Sequence, residues 1–85
     1  MMNWYVYIAR AKTGRFYTGM STNPVTRLNR HNSGEGSKFA KQQGPFNLVY
    51  VSQAYKNKFE ARRREIQIKD WSKTKKERLI SGEFK

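Results

Sequence analysis

The chain has 85 residues, no cysteine, and 18 Lys and Arg against six Asp and Glu, giving a formal net charge of +12. This length predicts a single domain spanning residues 1–85, and the missing cysteines exclude disulfides and thiolate metal sites. A compact surface with this charge attracts polyanions, so nucleic acid is the expected partner. No membrane is expected, because the sequence has no long apolar run and no basic helix with a broad apolar face. Its start lacks the features of a signal peptide, so we expect a cytoplasmic location.

Residues 4–19 predict a β-hairpin, because aromatic and β-branched residues dominate both arms and a Thr-Gly turn signal separates them. A three-residue loop over 12–14 would place Tyr7 opposite Gly19, and Tyr7 and Tyr17 would then share one face of the sheet. A two-residue loop would put the two tyrosines on opposite faces, since side chains alternate with period two. The other face of the first arm, which begins with Trp-Val-Ile alternation, is the expected core face.

A helix is predicted to begin at Asn23-Pro24. Asn23 is a preferred N-cap residue, and Pro24 suits the first helical position because its missing N–H has no partner there in any case. Val25 and Leu28 supply the predicted buried side.

The remaining segments complete the predicted fold, which is α/β (α+β) with a small three-stranded antiparallel sheet flanked by helices. They are a Gly- and Lys-rich loop with one helical turn near 37–41 (32–45), a third strand (46–51), a helix capped by Asn57 (57–70) and a last short helix that opens at Ser72 or Lys73 and runs to about residue 80.

Glu65 is the carboxylate with the most informative setting on the predicted helices. On a helical wheel it falls within the arc between two apolar groups, so we expect it to face the body of the protein. The alternative is a surface ion pair with Arg62 or Lys69, worth ~0.5 kcal/mol. The apolar groups are Ala61 with Ile68 on one side and Phe59 with Ile66 on the other.

Much of the positive charge lies in the second half of the chain. Such residues are ordinarily solvated, but in a chain of +12 they are candidates for phosphate contacts, which carry affinity without reading sequence. The predicted nucleic-acid-binding residues are Lys38, Lys41, Arg62, Arg63, Lys69, Lys73, Lys75 and Lys76.

Two tripeptides carry a family resemblance, Tyr5-Val6-Tyr7 and Tyr17-Thr18-Gly19. They resemble the paired motif of the GIY-YIG nuclease superfamily, with Tyr5 where that family often has Gly and Thr18 where it often has Ile. Further along, Arg27, His31 and Glu65 resemble later conserved positions of the family in order and approximate spacing. The likeness is to the small single-domain bacterial branch, which is similar to the N-terminal nuclease domain of an excinuclease.

The resemblance implies a metal-dependent endonuclease that hydrolyses phosphodiester bonds in DNA and is either structure-selective or targeted by a partner. It further implies a role in DNA repair. It implies that Tyr7 activates or positions the nucleophile and that Tyr17 orients phosphate or water. It further implies that Arg27 binds the scissile phosphate, that His31 assists proton movement and that Glu65 holds one Mg²⁺ or Mn²⁺. Two metal ions are not expected, because they ordinarily require several clustered carboxylates.

The chain also departs from the family pattern. Many members have an Asn after the metal-binding helix, or extra domains that deliver the target, and neither has a clear counterpart here. A protein partner for targeting is one expected consequence. The alternative function is a nucleic-acid-binding module that keeps the nuclease scaffold with little or no catalysis.

Overall fold

The computed structural model describes residues 2–35 and 45–83. The sheet has three antiparallel strands in the order β2-β1-β3, so β1 is central and the other two are edge strands. Three α-helices lie in the described part of the chain, and a π-helical turn, His31–Glu35, follows the first. This arrangement confirms the predicted α+β class. The elements are β1 (Tyr5–Arg10), β2 (Phe16–Ser21), α1 (Pro24–Arg30), β3 (Asn47–Val51), α2 (Lys58–Lys69) and α3 (Lys73–Ile80).

The hairpin between β1 and β2 has the three-residue loop that places both tyrosines on one face. Tyr7 pairs with Gly19 and Ala9 pairs with Tyr17. At the loop, the Ala11 amide donates to the Arg15 carbonyl at 2.8 Å. Gly14 has φ 93°, a left-handed conformation that costs glycine little. The predicted register is therefore confirmed.

Strand β3 pairs with the other edge of β1, with Tyr7 opposite Val51 and Ile8 opposite Tyr50. The register shifts between Ile8 and Ala9, and β3 spans 47–51 rather than the predicted 46–51. Beyond the strand end the Ser52 hydroxyl accepts a hydrogen bond from the Val6 amide at 2.9 Å. The Ser52 side chain thus adds a hydrogen bond to β1 just beyond the last residue of β3.

The main core lies between the sheet and helices α2 and α3. Val6 and Ile8 point from β1 into this core and are fully buried, which confirms that the Trp4 face is the core face. They pack with Ala61 and Ile68 of α2 and with Leu79 of α3.

Helix α1 covers the opposite face of the sheet through a smaller cluster of Ala9, Ala11, Leu28 and Phe46. Asn23 is the N-cap, since its side-chain oxygen accepts a hydrogen bond from the Thr26 amide at 3.1 Å. The prediction for Val25 was wrong: it is 57% exposed, because this seven-residue helix turns only the side of Leu28 and Pro24 towards the sheet.

Helix α2 begins after Asn57, whose side chain accepts from the Glu60 amide at 2.9 Å, as predicted. Its buried residues are Ala61, Glu65 and Ile68, which lie within one helical stripe. The expectation of a second buried group was wrong, because Phe59 is 83% and Ile66 55% exposed. Both lie about 100° or more around the helix from Glu65, on the side turned to solvent.

Helix α3 follows Ser72, whose hydroxyl accepts from the Lys75 amide at 3.2 Å, so its predicted start is confirmed. The helical turn predicted near 37–41 lies outside the described residues. Among the helices that are described, none has the length and apolar character required to cross a membrane.

Replacing Gly19 by Ala is expected to lower the free energy of unfolding by about 1–3 kcal/mol, as overpacking does in a filled site. A Cβ at this position would lie 2.7 Å from the Tyr7 hydroxyl oxygen and 2.8 Å from its Cζ. The Tyr7 ring cannot easily yield, since the residue is only 1% exposed. Urea denaturation measures the loss.

The control is the same substitution in a Tyr7→Leu background, because leucine lacks the ring atoms that the new methyl group would meet. There the extra cost of Gly19→Ala should largely disappear. An equal cost in both backgrounds would contradict the close approach of Tyr7 to Gly19.

Candidate active site

Four rings form a cluster on the α1 face of the sheet, and we call Tyr7, Tyr17, His31 and Phe46 the tyrosine cluster. The Tyr7 and Tyr17 ring centroids are 6.3 Å apart. Tyr17 also lies 5.8 Å from His31 and 6.1 Å from Phe46, and the last two rings meet edge to face at 6.3 Å. Tyr17 is therefore the centre of the cluster, and at 41% exposure it is open to a substrate.

Asn32 fixes one side of the tyrosine cluster. Its side-chain nitrogen donates to the Phe46 carbonyl at 2.9 Å, and its oxygen accepts from the Phe46 amide at 2.8 Å. The π-helical turn after α1 is thereby tied to the chain that enters β3. Sequence reasoning missed this role, because a single asparagine 14 residues from its partner leaves no periodic signal.

The Tyr7 hydroxyl lies deep in the cluster and is linked to Arg27. Burial raises the pKa of Tyr7 to about 12, and the neighbouring Tyr17 adds to the rise. The Arg27 guanidinium lowers this pKa through its charge and a side-chain hydrogen bond, while the Glu65 carboxylate raises it slightly. Tyr7 is therefore a neutral phenol at physiological pH, held beside a cation.

Arg27 itself is exposed and lies in the last turn of α1. Because the helix packs on the sheet through Leu28, the next residue, its guanidinium can interact with Tyr7 and still face solvent. His31 follows one turn later, half-buried, and its ring lies against Tyr17. The four predicted residues of this face are thus brought together around Tyr17 and the Tyr7 hydroxyl.

Glu65 reaches the region from α2, which packs on the opposite face of the sheet. It is 7% exposed, as its predicted inward orientation requires. The ion-pair alternative is present as well, since Lys69 Nζ lies 3.6 Å from a Glu65 carboxylate oxygen. Glu65 is therefore both buried and paired, and its charge is near enough to act on Tyr7.

The carboxylate of Glu65 is the type of ligand that a hard divalent ion takes. Among the described residues, no three His, Asp or Glu side chains cluster as metal ligands. Mg²⁺ commonly keeps several waters and binds one or two carboxylates together with substrate phosphate, so a single carboxylate is compatible with it.

Most of the predicted nucleic-acid-binding residues are exposed on α2 and α3. Lys73 lies 5.6 Å from the Phe16 ring centroid, and Lys75 lies 4.2 Å from that of Trp71. Lys76 is half-buried, and Lys69 is engaged with Glu65. Arg62 and Arg63 are exposed on α2, whereas Lys38 and Lys41 lie outside the described residues.

Thr18, the neighbour of Tyr17 in β2, is a further buried polar residue that the sequence analysis did not single out. It is 4% exposed, and its hydroxyl has no hydrogen-bond partner among the described residues. It pairs with Ile8 and therefore faces α2, on the side of the sheet from which Glu65 approaches.

Comparison with known proteins gives a consistent relationship over most of the chain. A family model for the GIY-YIG catalytic domain matches residues 3–78. The chain is 45% identical over 80 residues to the UPF0213 protein BH0048 of Halalkalibacterium halodurans, a match that covers 94% of this chain and 84% of that protein. It is 44% identical over 77 residues to a UPF0213 protein of Aeromonas salmonicida, covering 91% of this chain but 56% of the relative.

Solved structures are similar as well. The solution NMR structure of BH0048, from Bacillus halodurans, matches with a TM-score of 0.58 over 94% of this chain and 84% of that one, at 45% identity. The solution NMR structure of EF2693 from E. faecalis matches with a TM-score of 0.63 at 28% identity, covering 95% of this chain and 85% of that one. The chain therefore belongs to the GIY-YIG family, which is a family of endonucleases, and within that family to the UPF0213 proteins.

Proposed function

We propose that this protein is a metal-dependent endonuclease that hydrolyses phosphodiester bonds in DNA. The observation that carries the proposal is the buried Tyr7 phenol, linked to an exposed Arg27 guanidinium beside the open Tyr17 ring. A cation at the mouth of the site and a fixed phenol behind it suit a negatively charged phosphate. Family membership and the net charge of +12 point to the same substrate class.

Arg27 is the proposed phosphate-binding residue. Its guanidinium offers five N–H donors in a planar fork that matches phosphate oxygens. The hydrogen bond to Tyr7 occupies only part of this capacity, so donors remain for the substrate. Arg27 would therefore contact the phosphate in the ground state and stabilise charge that develops as the bond breaks.

Tyr7 and Tyr17 are proposed to position the reacting groups. With a pKa of about 12, Tyr7 keeps its proton at neutral pH, so its hydroxyl orients water or phosphate unless a partner removes that proton. Tyr17 is open to substrate, and the His31 imidazole, whose ring nitrogens can accept or donate a proton, is in ring contact with it. We assign His31 to proton movement.

Glu65 is the residue proposed to hold one Mg²⁺ or Mn²⁺. A bound ion would supply charge neutralisation at the phosphate and a more acidic water. Lys69 pairs with Glu65 in the structure, so this chain must exchange an ammonium for the ion at the same carboxylate. The exposed Lys69 side chain is free to swing away, since it is 55% exposed.

A second candidate function is a nucleic-acid-binding module that does not cleave. The Lys69–Glu65 pair favours it, because a carboxylate already neutralised by a lysine is a weaker metal ligand. Both functions use the same basic surface, so only an assay of cleavage separates them. The nuclease proposal has two further parts. One is a protein partner that directs the enzyme to its target, and the other is a role in DNA repair.

Glu65→Ala is expected to lower cleavage about 100-fold or more, because it removes the proposed metal ligand. Affinity for DNA without metal should stay equal or rise slightly, since a negative charge leaves a phosphate-binding surface. The assay uses labelled branched, single-stranded and duplex DNA with Mg²⁺ or Mn²⁺. Wild type that binds all three and cuts none would establish the non-cleaving function instead.

The matched control is Glu60→Ala, which removes an exposed carboxylate from the same helix and should cut like wild type. Thermal denaturation of both variants shows whether loss of the Lys69 pair unfolds the protein. A folded Glu65→Ala variant that cuts at the wild-type rate would refute the metal assignment.

Tyr7 should lose its proton near pH 12, about two units above an ordinary tyrosine. Between pH 10 and 12 the unfolded chain would already have released this proton while the native state keeps it. The contribution of Tyr7 to the free energy of unfolding should therefore be fully present below pH 10 and should be lost as the pH rises through this window. Phenolate absorbance and denaturation, both followed against pH, measure the effect.

In Tyr7→Phe the absorbance step near pH 12 and its part of the stability loss should both be absent. Tyr50→Phe is the comparison, because burial also raises the pKa of Tyr50, which lies on the other face of the sheet. Loss of an ordinary step near pH 10 in Tyr7→Phe would contradict the buried phenol.

Simultaneous replacement of Lys73, Lys75 and Lys76 by Ala is expected to flatten the salt dependence of duplex DNA binding. The log-log slope has a magnitude of roughly 0.9 per neutralised phosphate, so three lost contacts would reduce it by about 2.7. Fluorescence anisotropy over a series of salt concentrations gives the slope.

A control with the same net charge replaces the exposed residues Lys12, Arg15 and Lys58, which are outside the predicted contact set. Its slope should remain close to wild type. If the two triple variants behave alike, α3 is not the duplex-binding surface, and Lys38 with Lys41 become the next candidates.

A further inference from the structure

A groove on the α2 and α3 side of the sheet is separate from the tyrosine cluster. It contains a cavity of about 590 Å³ whose walls include Tyr50, Tyr55 and Arg64. A neighbouring depression of about 830 Å³ shares Tyr55 and Arg64 with this cavity, so the two lie side by side. We call the two depressions together the β3 groove. Because Tyr50 pairs with Ile8, the groove opens on the face of the sheet away from Tyr7.

Arg64 is held in place at the centre of this groove. Its Nη1 donates to the Gln67 side-chain oxygen at 2.7 Å, and its Cζ lies 5.0 Å from the Trp71 ring centroid. It also makes a side-chain hydrogen bond with the Tyr50 hydroxyl. A guanidinium has five N–H donors, so these contacts orient it and leave donors for an anion.

The charge of the groove favours a negatively charged ligand. Lys56, Arg63 and Arg64 line it, and Glu60 is the acidic residue among its described walls. Three cations against one carboxylate give a local excess of positive charge, in addition to the field of a chain with net charge +12.

The uncharged walls narrow the ligand further. Tyr50 and Tyr55 are half-buried, so each ring is anchored in the core and keeps part of its surface accessible. Gln53 adds an exposed amide that can both donate and accept. Aromatic faces stack on bases, an amide pairs with base edges and arginine takes phosphate, which together match a nucleotide.

The base of that nucleotide must be unpaired. In a duplex, neighbouring base pairs cover both faces of every internal base, so no face is available to a tyrosine ring. The backbone of a regular duplex would also not be complementary in shape to a concave surface of this size. We propose that the β3 groove binds an unpaired nucleotide, with its base against Tyr50 or Tyr55 and its phosphate at Arg64.

This inference goes beyond the proposed nuclease activity, because the groove is a second contact on the other face of the sheet. The same chemistry is offered by a free nucleotide and by a nucleotide within a single strand. A strand bound there would give the protein a preference for DNA with an unpaired segment, independently of the chemistry at Tyr7.

The test compares Arg64→Met with Arg15→Met, which removes the same charge from an exposed arginine outside the groove. Binding is measured without metal ions, using labelled oligothymidylate and a duplex of equal length. Arg64→Met should weaken single-strand binding about tenfold more than Arg15→Met, while duplex binding should change alike. Equal losses for the single strand would overturn the proposal.

Competition with dTMP separates the two sources. If dTMP displaces the oligonucleotide, the groove is a site for a free nucleotide. If oligonucleotide binding depends on Arg64 but dTMP does not displace the oligonucleotide, the groove is a site for a nucleotide within a strand.

A second measurement needs no variant, since Arg64 also supports Tyr50 and its loss can disturb the fold. An oligonucleotide containing bromodeoxyuridine is crosslinked by light to the wild-type protein, and the modified peptides are found by mass spectrometry. Crosslinks at Tyr50 or Tyr55 support the groove, whereas crosslinks confined to Tyr17 and other sites overturn it. Neither measurement involves cleavage, so failure of the nuclease activity would leave both results interpretable.

Discussion

The close approach of Tyr7 to Gly19 is the constraint on which the candidate active site depends. The phenol can cross β2 only because position 19 has no side chain, and it can reach Arg27 only by crossing there. The register that makes them partners is set by the three-residue loop and by Gly14 in its left-handed conformation. A change of one residue in this loop would put Tyr7 and Tyr17 on opposite faces of the sheet and so separate the rings of the cluster.

The parts of the fold with local signals could be predicted from the sequence. Asn23 and Asn57 act as N-caps where the residue type predicts them, and the hairpin register follows from its turn. These features depend on a few neighbouring residues, so the sequence carries them directly.

The parts set by tertiary packing could not be predicted in the same way. Val25, Phe59 and Ile66 are apolar and lie on helices, yet they are exposed, because each helix is covered on one side only. Asn32 shows the opposite case, a polar residue whose role is set by Phe46, which lies 14 residues away, just before β3. For the site, the sequence could propose which residues act, while burial, the Tyr7–Arg27 link and the Lys69 pair depend on the folded geometry.

The charged residues of this protein have two proposed roles. Many cations would supply affinity for nucleic acid, and one inward-facing carboxylate would take part in the cleavage reaction. With 18 Lys and Arg, no single exposed charge decides whether DNA binds. Glu65, in contrast, is a single carboxylate with a proposed role of its own. Because it is buried among positive charges and paired with Lys69, it is on its own a modest ligand for a divalent ion. In the proposed site the substrate phosphate must complete the coordination of the ion. Metal and DNA would therefore each raise the affinity for the other by the same factor, since linkage between two ligands is reciprocal.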